Sequence, residues 1–204
     1  IMVHSDDYGL VLPPRIAPVQ VTIIPIGLSE EVLNLVDKYE SLLKENGISV
    51  TKDLTDKSPG FKFAEAEVNG IPVRIEVGKR DLENNNITIA RRDTREKMQE
   101  STDIDIVKYV KKLLETIQHD MYNRALERQN KLTFEAHNLK DMENILNTQP
   151  GFIHADWCGS VECENRIKEI KGCKSRCILE NEKLIDGKCV CCGKEAKQIG
   201  RAHV

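Results

Sequence analysis

The stretch Val19-Gln20-Val21-Thr22-Ile23-Ile24-Pro25, with Ser29-Glu30-Glu31-Val32 close behind it, decides the fold class. β-branched and apolar residues on both faces are what a buried central strand requires. Ser29 is placed to cap a helix with two glutamates in its first turn. Val32, Leu35, Val36, Tyr39, Leu42 and Leu43 then form one apolar face, and Gly47 closes the helix. Residues 48–54 read as a second strand. Ser58-Pro59 opens a helix to about Asn69, ended by Gly70. Residues 71–77 and 86–92 are the next strands, separated by a polar turn over 78–85. A long helix is expected from about Asp103 to Lys131, and another over residues 139–146. The strand–helix–strand order implies an α/β layer structure with a parallel or mixed sheet.

The 204 residues are 40% hydrophobic and 31% charged, enough for a real core. The longest apolar stretches are too short and too interrupted to span a bilayer. One Trp, four Tyr and four Phe argue against an extended aromatic platform as the main device for single-stranded nucleic acid. A net charge of −3 excludes bulk basicity as the source of any nucleic-acid affinity, so an RNA partner would be read locally. The first residue is Ile1 with no basic-then-apolar leader after it, which reads as a piece of a longer polypeptide.

Cysteine usage divides the chain. All seven cysteines (158, 163, 173, 177, 189, 191 and 192) come after Trp157, and a boundary is expected near 149–151, where Pro150-Gly151 punctuates the sequence. Cys189-x-x-Cys192-Gly193 has knuckle spacing, with a glycine that permits the tight backbone, and Cys158 with Cys163 supplies a second pair. Together they make a four-thiolate set for a structural zinc ion, with no position left open for water. Cys191 competes with Cys192 for the fourth place. A region this small needs a staple, and zinc is the expected one. Cys173 and Cys177 read as ordinary half-buried cysteines. His119 and His137 read as surface residues, and His154, though near the cysteines in sequence, is not expected to orient a ligand. There is no GxxxxGK[ST] loop, GxSxG elbow or HExxH, so the residues by themselves offer no catalytic constellation.

The run Ser5-Asp6-Asp7-Tyr8-Gly9-Leu10-Val11-Leu12-Pro13-Pro14-Arg15-Ile16-Ala17-Pro18-Val19-Gln20-Val21 resembles a class II prolyl-tRNA synthetase of the archaeal/eukaryotic-type branch, just past the third class-defining motif. The likeness continues through Pro59-Gly60-Phe61-Lys62-Phe63, Gly70-Ile71-Pro72-Val73-Arg74 and Gly78-Lys79-Arg80-Asp81-Leu82-Glu83. It resumes at Trp157-Cys158-Gly159, Cys163-Glu164 and residues 189–194, and so covers essentially the whole chain. One departure is the end, His203-Val204, where the family commonly finishes in a tyrosine.

The resemblance implies a mixed five-stranded sheet with flanking helices, the class II anticodon-binding fold, followed by a small α+β zinc-binding domain. Residues 1–18 would end the catalytic domain, 19–131 hold the anticodon-binding domain and long helix, 132–151 connect, and 152–204 bind zinc. It supports Cys158, Cys163, Cys189 and Cys192 as ligands. It also implies tRNA(Pro) as partner, with anticodon contacts from Glu67, Arg74, Arg80, Asp81 and Lys97, Arg95 competing for the Lys97 place. Proline anticodons share two guanines, whose N1–H and N2–H a carboxylate accepts while O6 and N7 accept from Arg or Lys. The complete enzyme would be a cytoplasmic proline–tRNA ligase. It would use ATP and Mg through prolyl-adenylate and form a homodimer through its catalytic domain. This chain alone would be inactive. The other reading is a free-standing zinc-containing RNA-binding or scaffold protein that reuses the fold.

Overall fold

The structure is a computed structural model and describes residues 3–149, 151–170, 172–180 and 183–203. Pro150, at the expected boundary, Ile1 and the terminal Val204 lie outside the described residues. Chain contacts divide the protein into two compact units, one up to Asn123 and one from Arg124.

The first unit opens with a short ribbon, β1 (Ser5–Asp6) and β2 (Gly9–Leu10), followed by β3 (Val21–Ile26) and α1 (Glu30–Glu45). Next come β4 (Val50–Lys52), α2 (Pro59–Val68), β5 (Val73–Gly78), α3 (Lys79–Glu83), β6 (Asn86–Arg91) and β7 (Lys97–Ser101). The helix α4 (Ile106–Lys131) comes after them and crosses from the first unit into the second. Strand order is β4-β3-β5-β6-β7, with β3 parallel to β4 and β5 and the last two strands antiparallel.

Side-chain alternation gives this sheet two different faces. Val21, Ile23, Val73, Ile75, Val77, Ile87 and Ile89 point to one side. There they pack against Val32, Val36, Tyr39 and Leu43 of α1 and Val110, Leu114 and Ile117 of α4. Ser29 caps α1, accepting from Val32 N–H at 3.5 Å, and Gly47 beyond its end takes a left-handed φ of 76°. The opposite face carries Thr22 and Ile24 of β3, Arg74 and Glu76 of β5, Thr88 and Ala90 of β6, and Lys97 of β7. Register sets Arg74 beside Ala90 and Ala90 beside Lys97.

Two local expectations change. Residues 79–83 form the short helix α3 rather than an open turn, so Arg80 and Asp81 are helical. The fifth strand, β7, has no counterpart in the residue pattern. Its exposed Lys97, Gln99 and Ser101 leave little apolar signal.

The second unit contains β8 (Thr133–Ala136), α5 (Leu139–Thr148), β9 (Phe152–Trp157), α6 (Val161–Lys168), β10 (Lys174–Leu179) and β11 (Gln198–His203). Their sheet has the order β10-β11-β9-β8, antiparallel except for the parallel β8–β9 pair. Ile153, Ala155 and Ala202 meet Met142 of α5 and Ile167 of α6 in a separate core. The expected division near residue 150 is therefore corrected. β8 shares a sheet with β9, and α5 shares a core with β9, α6 and β11. Residues 132–148 thus belong to the cysteine-bearing unit rather than forming a linker.

Candidate nucleic-acid interface and metal centre

The polar face of the first sheet is built around Arg74. Its guanidinium is buried, an uncommon place for arginine unless paired. Nε donates to Glu76 Oε1 at 3.0 Å, and Nη1 reaches both the Phe63 carbonyl and Glu67 Oε1 at 3.3 Å. The Phe63 ring, one turn before Glu67 on α2, lies 4.5 Å from the guanidinium carbon. Lys97, half exposed, crosses over Ala90 to place Nζ 3.0 Å from Glu76 Oε1 and 5.0 Å from the Phe63 ring centroid. Arg95 approaches Glu67 from the other side, Nη2 to Oε2 at 3.8 Å.

The two carboxylates thus differ. Glu76 is buried and saturated by a guanidinium and an ammonium at hydrogen-bond distance. Glu67 is partly open, its side chain 22% exposed, with only long contacts from Arg74 and Arg95. Glu67 retains capacity to accept donors from outside, whereas Glu76 anchors the cations.

Of the five residues expected to contact an anticodon, the structure gathers Glu67, Arg74 and Lys97 directly. Arg74 sits beneath the carboxylate it positions and is not an open donor. Asp81 adjoins the same row of β5: a Cβ on Gly78 would fall 2.8 Å from Asp81 Oδ2. Arg80 points to solvent, and its carbonyl accepts from Asn84 Nδ2 at 2.8 Å. Glu76 and Phe63 were missed. The available signal was the alternation Val73-Arg74-Ile75-Glu76-Val77, where a strand with one wholly apolar face places two opposite charges on the other.

In the second unit the sulfurs of Cys158, Cys163, Cys189 and Cys192 lie within 4.8 Å of one another. Cys158 Sγ is 3.7 Å from that of Cys163 and 3.8 Å from that of Cys192. Each pair sits on a glycine-assisted turn, Gly159 at φ 88° and Gly193 at φ 69°. Gly193 N–H donates to the Cys189 carbonyl at 2.8 Å, closing the knuckle. Ser160 caps α6 and accepts from Cys163 N–H at 3.4 Å, fixing that cysteine in the first turn. Burial pushes the Cys163 thiol up, with the neighbouring cysteines adding to it. At Cys189 burial acts the same way, but backbone N–H groups of Cys192, Cys191 and Cys158 outweigh it and bring the thiol to about 7.

Asp156 was missed by sequence reading. Buried on β9, it accepts from the N–H groups of Ile185 at 3.0 Å, Asp186 at 2.8 Å and Gly187 at 2.7 Å, shaping the loop before Cys189. Cys191 instead packs against the second core, and Cys173 is buried within it, its thiol raised by burial. Cys177, expected to be half-buried, is exposed on β10.

The first unit is thus a mixed five-stranded sheet whose polar face carries this charged cluster. Residues 20–116 match the family described as Anticodon binding domain. Residues 139–202 match Prolyl-tRNA synthetase, C-terminal, and the chain belongs to the prolyl-tRNA synthetase family. It is 45% identical over 208 residues to a proline–tRNA ligase of Clostridium novyi (strain NT), covering 100% of this chain and 43% of that protein. It is 46% identical over 209 residues to a proline–tRNA ligase of Lachnospira eligens, with the same coverage. Among solved structures, prolyl-tRNA synthetase from Cryptosporidium parvum complexed with L-proline and AMP superposes with a TM-score of 0.89 at 36% identity, over 100% of this chain and 44% of that one. The Giardia lamblia prolyl-tRNA synthetase in complex with prolyl-adenylate gives 0.87 at 27% identity, over 98% and 45%. The chain spans less than half the length of the relatives it matches. Among the described residues no helix is long and apolar enough to cross a membrane.

Proposed function

We propose that this chain recognises the anticodon of tRNA(Pro) as the C-terminal part of a cytoplasmic proline–tRNA ligase. The observation that carries the reading is the half-open Glu67 carboxylate, backed by buried Arg74 and flanked by Arg95. It offers acceptor oxygens to guanine N1–H and N2–H while nearby cations suit O6 and N7. On this reading Lys97 of β7 and Arg80 and Asp81 of α3 add further contacts. Adenine presents an acceptor at N1 and would face the carboxylate unfavourably. The chain supplies selection and orientation of tRNA. Activation of proline with ATP and Mg, and dimerisation, fall on this reading to the rest of the relatives' length. The test is equilibrium binding to tRNA transcripts that differ only in the anticodon: those with both guanines should bind tightest. Equal binding of all transcripts overturns the reading.

The cysteine cluster is proposed to hold one structural zinc. A tetrahedron with metal–sulfur bonds of about 2.3 Å has sulfur–sulfur edges of about 3.8 Å, which agrees with the two short separations, 3.7 and 3.8 Å. Four thiolates make a closed site that stabilises its fold and leaves no position for substrate. Metal analysis of freshly prepared reduced protein should find one zinc per chain, and its absence would contradict the assignment.

A further inference from the structure

The β1–β2 ribbon is fastened at the rim of the Glu67 site in two independent ways. Buried Arg92 grips Asp6 with both terminal nitrogens, Nη1 to Oδ2 at 2.9 Å and Nη2 to Oδ1 at 2.6 Å. Gly9 lies so close to the end of α2 that a Cβ would sit 2.4 Å from Val68 Cα. Between these two fastenings the ribbon carries Tyr8, whose N–H donates to Asp6 Oδ1 at 2.9 Å. Tyr8 itself contributes little burial, being 53% exposed.

Arg95 covers one side of that ring, its guanidinium carbon 3.7 Å from the centroid. The same side chain reaches Glu67, so one arginine links the ring to the carboxylate. Arg95 has a left-handed φ of 61°, a conformation that costs a non-glycine residue free energy. The turn aims it there despite that cost. An aromatic ring with a cation behind it and solvent before it can accept a second flat group.

We infer that Tyr8, backed by Arg95, is a stacking platform for one further unpaired base next to the guanine met by Glu67. The inference rests on the guanine reading proposed above. Stacking engages the face common to every base, so Tyr8 contributes affinity without discrimination. Glu67 contributes discrimination, and Arg95 holds the two at a fixed separation.

The test uses hairpin RNAs whose loop carries the two guanines, with an abasic nucleotide placed in turn at each other loop position. One such substitution should weaken wild-type binding by about tenfold, within the range of a single stacked base. Tyr8→Ala should weaken the intact hairpin by a similar factor and show no further loss on that abasic hairpin. Tyr8→Phe should bind as wild type, and Tyr8→Ala should still prefer guanine to adenine. If Tyr8→Ala binds the intact hairpin as wild type does, or if its loss simply adds to the abasic loss, the stacking assignment is overturned. If wild type ignores the exchange of guanine for adenine, the guanine reading fails, and the abasic comparison still decides the stacking.

Discussion

Glu67 and Glu76 are both glutamates within reach of Arg74, yet their surroundings assign them opposite work. Glu67→Ala should relax the preference for guanine over adenine by about 1–3 kcal/mol, the worth of a good bidentate base contact, while reducing overall affinity less. Competition binding with the two hairpins measures this, and an unchanged preference would contradict it. Arg74→Ala removes the partner of a buried carboxylate, and breaking a buried ion pair costs about 3–5 kcal/mol. Urea unfolding of the first unit should register that loss, so Arg74 is tested by stability before binding is interpreted. Asp6 answers to pH. Its hydrogen bond from Arg92 holds the carboxyl at about 2, below the ordinary 3.8, with desolvation opposing. Because the folded value is depressed, its contribution is complete above about 3.8 and disappears as pH falls through about 2. Protection of the ribbon amides, corrected for the intrinsic pH dependence of exchange, should fall across that window in wild type and stay level in Asp6→Asn.

The knuckles depend on backbone as much as on sulfur. Cys163→Ser or Cys189→Ser should abolish metal retention and loosen the second unit while the first stays folded, as judged by metal content and by amide exchange in each unit. Gly193→Ala meets no steric obstacle but places a side chain at φ 69°. It should therefore weaken metal retention under chelator challenge without abolishing it. Elements with strong periodicity were legible in the sequence: β3, α1, α2 and α4 lie within a few residues of their expected bounds. The strands β7 and β10 were not, because an edge strand such as Lys174–Leu179, exposed along most of its length, has no apolar face to announce it. The unit boundary was misplaced for a related reason. Gly151 immediately precedes β9, and a parallel β8–α5–β9 crossover is invisible until the strands are paired. Of the sites, the cysteine spacing was readable locally. Glu76, Phe63 and Asp156 act through partners distant in the chain and needed the fold.

Among the described residues the two hydrophobic cores share no residue. Chelation should therefore lower the melting transition of the second unit and leave that of the first in place, visible as two separating peaks in calorimetry. A single transition that shifts as a whole would contradict this. The net charge of −3 also shapes the RNA binding. With little general attraction for phosphate, the salt dependence should be shallow and specificity should survive at raised ionic strength. Lys97→Ala, if its ammonium meets phosphate, should weaken every RNA alike and flatten that dependence further. The most direct test of the whole account is equilibrium binding of this chain to tRNA(Pro) transcripts carrying guanine or adenine at the two shared anticodon positions, across several salt concentrations. The account predicts a guanine preference that persists as salt rises and shrinks in Glu67→Ala. Equal binding of the two transcripts by wild type at every salt concentration would contradict it.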